Sequence, residues 1–241
     1  MIWKKKITQC LFLAMILCSP QTWSQKSLQG DEEAITHLKE MIRTMGGLEL
    51  WGRLSQLRFQ HKWYPINRGS YIEDEIIDLT GPRSWVRMKS EDFERYRAYS
   101  PEHGYWSIHN GTFSQSEESY QNALKRAPFN IYRIAHSVAK GEFPFEIKMG
   151  ETDIPTGVKI EFLTTEGDVG GSVVLNGKSE PLVWETPQFR YTFGPMKKFG
   201  NLSVPNWAVY DQGSFRYEMI DLVGDSNPVD SRLFQVPVGY Q

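Results

Sequence analysis

What most constrains this chain is a change of hydrophobic period part of the way along it. Ile35, Leu38, Met41, Ile42 and Met45 recur at three- and four-residue steps, with Lys39, Glu40 and Arg43 filling the other side. That spacing winds one apolar stripe along a helix. Asp31 stands where an N-cap belongs, Glu32 and Glu33 follow in the first turn, and Gly46-Gly47 supplies a left-handed stop. From Leu57 onward the period is two. Leu57, Phe59, His61 and Trp63 alternate with Arg58, Gln60, Lys62 and Tyr64, as in a strand with one face buried.

Further strands are expected over 71–79, 85–89, 95–99, 105–109, 145–151, 158–165, 171–175, 182–185, 189–193, 207–210 and 215–222, separated by short turns. Asn176-Gly177 is a hairpin signal. One helical insert interrupts the series, over 116–125 and again over 131–139 with Pro128 between and Gly141 after. A meander with short turns pairs antiparallel. The expected fold is α+β and mainly β: a curved antiparallel sheet, a half-open barrel, with an N-terminal helix and a central helical insert on its concave side. A closed calycin-like barrel is the alternative, since twist accumulates across so many strands.

The first 24 residues read as a cleavable signal peptide. Lys4, Lys5 and Lys6 precede an apolar run over 7–17, and Thr22-Trp23-Ser24 leads to a cut before Gln25. The run is shorter than the roughly 20 residues needed to span a bilayer. Cys18 follows Leu17, whereas a lipidation site wants a small residue there, so no acyl group is expected. Both cysteines, Cys10 and Cys18, fall inside the leader. Residues 25–241 are then a single domain without disulfides, stabilised by its core alone. The leader takes three lysines and no acid with it, leaving 24 basic against 29 acidic residues. That balance speaks against nucleic acid. No later run crosses a membrane, and the expected location is the periplasm.

Catalytic signatures are missing: the sequence holds no Gly-x-Ser-x-Gly elbow, His-Glu-x-x-His pair, phosphate loop or dinucleotide fingerprint. His103 and His109, six apart, read as ordinary polar strand positions, and His61 reads as a core or cavity residue. Glu73, Asp74, Glu75 and Asp78 read as a solvated acidic strand, with Ile72, Ile76 and Ile77 buried. No cofactor and no metal is expected. The aromatic residues say more. A curved sheet offers more apolar surface than two short helices cover, and the remainder is a candidate cavity. Its expected lining is Phe59, His61, Trp63, Val86, Met88, Trp106, Phe162, Phe189, Tyr191 and Phe193.

Four segments carry a family resemblance: Met45-Gly-Gly-Leu-Glu-Leu-Trp51 after the helix, Trp106-Ser-Ile-His-Asn-Gly111, the late stretch from Phe193-Gly-Pro-Met-Lys-Lys-Phe to Val204-Pro205, and the closing Val229-Asp-Ser-Arg-Leu-Phe-Gln-Val-Pro237. Together they resemble the superfamily of outer-membrane lipoprotein carriers and sorting proteins, the LolA/LolB-like fold. The resemblance implies a half-open barrel lidded by helices, with no enzyme activity. It also implies binding of lipid or of the acyl chains of lipoproteins, or else an envelope regulatory role with a protein partner. A hydrolase assembled from distant strands is the third class.

Overall fold

The computed structural model describes residues 28–211 and 213–240; the leader expected over residues 1–24 lies outside them. Two helices open the domain, α1 (Glu32–Thr44) and α2 (Leu48–Arg53). Six strands follow: β1 (Gln56–Pro65), β2 (Tyr71–Asp78), β3 (Ser84–Lys89), β4 (Glu94–Ser100), β5 (Gly104–His109) and β6 (Thr112–Gln115). The insert comprises α3 (Glu117–Arg126), a 3-10 turn (Ala127–Phe129) and α4 (Ile131–Lys140). Strands then resume as β7 (Glu146–Gly150), β8 (Val158–Leu163), β9 (Val169–Leu175), β10 (Pro181–Thr186) and β11 (Phe189–Phe193). A ribbon of β12 (Met196–Phe199) and β13 (Leu202–Pro205) precedes β14 (Trp207–Tyr210) and β15 (Phe215–Asp225), and a last 3-10 turn covers Ser231–Phe234.

Thirteen of these strands make one sheet in the order β6-β5-β4-β3-β2-β1-β15-β14-β11-β10-β9-β8-β7. It is antiparallel and open, not a closed barrel. The chain runs out along one wing, crosses by way of the insert, runs back along the other, and closes when β15 pairs with β1 from Gln56↔Asp225 to Pro65↔Phe215. The free edge of β7 is capped by the segment before α1. Asp31 N–H donates to the Ile147 carbonyl (2.8 Å), and Ile147 N–H donates to that of Gln29 (2.9 Å). Unpaired edges invite foreign strands, and here residues 29–31 occupy one. Asp31 does sit at the N-cap of α1, but its carboxylate makes no cap bond and instead accepts from Met149 N–H (3.0 Å).

The expected turns form, one of them by different chemistry. Gly46 and Gly47 take positive φ after α1, and Gly141 closes α4 in the left-handed region. Ser116 and Asn130 cap α3 and α4 with their side chains. Between β9 and β10, however, Ser179 rather than Gly177 takes positive φ. The Asn176 side chain accepts from the N–H groups of Lys178 and Glu180, so the hairpin turns over five residues.

Call the helix-covered side of the sheet its inner face. Leu38, Met41 and Ile42 of α1 and its C-cap Met45 are fully buried there with Trp51, Leu57, Ile147, Ile160 and Phe162. The insert docks on the same face. Phe129 lies against Gly170 and Gly171 of β9, where an added Cβ at Gly170 would come within 2.1 Å of its ring. The Phe129 carbonyl accepts from the Trp184 indole (2.8 Å). The opposite face has its own small core: Ala98, Trp106 and Ile108 are covered by Val229 and Phe234 of the closing segment.

Candidate functional site

Alternation fixes what faces inward. Phe59, His61 and Trp63 of β1 pair with Glu75, Glu73 and Tyr71 of β2, and Glu75 in turn with Val86 of β3. Paired residues of an antiparallel ladder share a face, so one row runs Phe59–Glu75–Val86–Arg97 across four strands. This row faces a cavity of about 340 Å³. Trp184, Phe189 and Tyr191 close it on the other wing, and Arg126, Tyr132 and Arg133 from the insert roof it.

One wall is aromatic. Tyr132 of α4 lies 5.1 Å from Phe59 and stacks on Trp51, and Trp184 stacks on Tyr191. The other wall is charged. The Glu73 carboxylate accepts from the Trp63 indole (2.9 Å) and lies 3.5 Å from Nδ1 of His61. The Glu75 carboxylate accepts from the Ser84 hydroxyl (3.2 Å). His61 is wedged between the rings of Phe59 (5.4 Å) and Tyr217 (4.7 Å), and β1 carries a bulge against β15 at Gln60/His61. Beyond that 3.5 Å approach to Glu73 its Nδ1 has no partner of good hydrogen-bond geometry, and the buried Tyr132 hydroxyl is likewise unpartnered.

The charges in this wall settle one another. Burial pushes the Glu73 carboxyl up, but the facing imidazole, the Arg97 charge and the Trp63 N–H outweigh it and hold Glu73 below its usual range. Glu75 goes the other way, raised by burial first and by the charge of Glu73 second. Burial works against the Arg97 guanidinium, yet the two glutamates keep its pKa raised. Burial, aided by nearby carboxylates, raises the Tyr132, Tyr191 and Tyr217 hydroxyls.

The expected lining divides. Phe59, His61, Trp63, Val86, Phe189 and Tyr191 line the cavity. Met88 shares their face but packs with Tyr71 and Val86 beside Phe93. Phe162 and Phe193 also face inward but lie in the apolar core, Phe162 against Phe143 and Phe193 against Trp184. Trp106 lies on the opposite face, where its indole donates to the Phe234 carbonyl (2.8 Å). It is paired with Ala98, which pairs with Trp85, and so belongs to the outer row.

The acidic strand is a correction. Glu73 and Glu75 point to the cavity, Ile72 and Ile76 to the other face, and Asp78 is buried as acceptor for Thr80 and Arg83 (2.6 Å). The sequence reading also passed over Arg97, Tyr132 and Arg133. Arg133 ties α4 to the β2–β3 turn by donating to the carbonyls of Asp78 (3.0 Å) and Arg83 (2.6 Å). An arginine on the apolar stripe of the helix from Ile131 to Val138 was the available signal.

The architecture is the LolA-like fold. A LolA-superfamily protein from Nitrosomonas europaea superposes with a TM-score of 0.50 at 9% identity, over 84% of this chain and 97% of that one. A protein from Thermus thermophilus aligns over 87% and 98% with a TM-score of 0.35 at 9% identity. No family model matches the sequence, and no curated protein does.

Proposed function

We propose that the protein binds the acyl portion of a lipid or lipoprotein in this cavity, outside the cytoplasm and without acting on it as an enzyme. One observation carries the reading: a cavity of about 340 Å³, walled by Phe59, Trp63, Trp184 and Phe189, between an open sheet and its helices. That volume falls within the range of about 300–1,000 Å³ typical of small-molecule sites. Each buried methylene contributes about 0.8 kcal/mol, so a long chain gains on the order of 10 kcal/mol gross before ordering and association costs. The charged wall suits an amphiphile, with its polar end near Arg97 and Arg126, better than a bare hydrocarbon. Among the described residues no helix is long and apolar enough to cross a membrane.

The test is solvent extraction of the purified protein with mass spectrometry, beside binding of a fluorescent fatty acid. Phe189→Asp sets a charge against the aromatic wall and should abolish probe binding, while the exposed Lys178→Ala keeps it. Wild-type protein that carries no lipid and binds no probe would leave a protein-partner role for the same fold.

A further inference from the structure

We infer that His61, Glu73 and Glu75 form a binding site for one divalent transition-metal cation of the zinc class. The inference is independent of acyl-chain binding. Each residue offers one donor atom, and the three atoms lie within 4.8 Å of one another. Metal–donor distances of about 2.0–2.2 Å set the edge of a tetrahedral site at roughly 3.4 Å. The His61 Nδ1 to Glu73 Oε1 distance of 3.5 Å already matches that edge. Glu75 offers the third donor, and its carboxylate also accepts from the Ser84 hydroxyl.

A carboxylate cluster alone would not justify this. The independent observation is the imidazole: His61 is only 6% exposed, and its Nδ1 is buried without a hydrogen-bond partner. Buried polar atoms are nearly always paired, and an imidazole nitrogen set among carboxylates is a donor suited to a cation. The ring is also held in place, between Phe59 and Tyr217. Arg97 lines the same cavity and acts on both glutamates through space.

The donor set selects the ion. One imidazole nitrogen with two carboxylates and no thiolate suits zinc and its first-row neighbours, whereas calcium takes six to eight oxygens. Three protein ligands at a cavity wall leave remaining positions turned toward the lumen, as in open zinc sites.

The experiment is zinc titration of the purified full-length chain carrying Cys10→Ser and Cys18→Ser, so that no thiolate competes. One equivalent should bind. His61→Ala and Glu73→Gln should each weaken uptake by more than the 10–100-fold that loss of an outer-shell partner costs, and His103→Ala should not change it. A second measurement needs no cavity variant: nitrogen-15 NMR of the five histidines should show one Nδ1 resonance moving with one equivalent of zinc. Failure to take up zinc stoichiometrically, uptake unchanged in a folded His61→Ala, or five unmoved imidazoles would each overturn the site.

Discussion

The two wings of the sheet are built by the same alternation and differ in what fills their inner face. On β7, β8 and β9 the inward residues are Ile147, Ile160, Phe162, Val173 and Leu175, all buried in one apolar core with α1 and α4. On β2, β3 and β4 they are Tyr71, Glu73, Glu75, Ile77, Ser84, Val86, Met88, Arg95, Arg97 and Tyr99, and part of that face opens on the cavity. Helices cover the first wing with close-fitting hydrocarbon. Over the second the insert meets charge and leaves space. A wing that contributes stability and a wing that keeps room for something else thus share one backbone plan, and the difference lies wholly in the inward residues.

That contrast can be broken most directly in the filled wing. Phe162→Ala should cost about 3–5 kcal/mol and Leu38→Ala about 2–5 kcal/mol in urea unfolding, because both are completely buried. Phe189→Ala, at the cavity, should cost under about 1 kcal/mol; an equal loss would show that the cavity wall is ordinary core. Gly170→Ala comes next, at about 1–3 kcal/mol. Its Cβ would meet the Phe129 ring, and Phe129 is held by its bond to Trp184.

Acid should loosen the junction of the helices. His136 on α4 is buried with Nδ1 2.9 Å from the Trp51 carbonyl, and burial lowers its pKa from 6.5 despite that bond. Lys140 also lowers it, while Glu142 and Asp78 act the other way. The unfolded chain takes up the proton first, so this contribution is complete above the unfolded value and is lost as pH falls from there through the depressed folded value. Urea midpoints between about pH 7.5 and about pH 5 should fall less for His136→Gln than for wild type. The smallest effect belongs to the charged wing. Without added metal, Glu75→Gln should be neutral or slightly stabilising, within about 0.5 kcal/mol, because burial and Glu73 both disfavour its charged form. A loss of several kcal/mol would mean that the Glu75 charge holds the fold together.

Much of this architecture was legible residue by residue. The stripe from Ile35 to Met45 docks as its spacing requires, and the strands at 71–79, 105–109 and 158–165 form within a residue or two of where alternation puts them. The ribbon of β12 and β13 was visible only through the resemblance of its segment, since four-residue strands give alternation little length to show itself. The site was half legible. The triads Phe59/His61/Trp63 and Phe189/Tyr191/Phe193 both face inward, yet β2 was read with its charges toward water. Ile72 and Ile76 on one face and Tyr71 and Ile77 on the other give that strand two nearly equal apolar sides.

By itself, then, the sequence determined most of the segments that are helix or strand, and that side chains along a strand alternate between two faces. Period is a local property, set by neighbours a few residues away. Which face lies inside, and that His61 meets Glu73 across a hairpin, was decided by tertiary structure. Register between β1 and β2, and the return of β15 to β1 from the far end of the chain, turn Glu73 and Glu75 inward. A shift of one residue would have turned every one of those side chains to the other face.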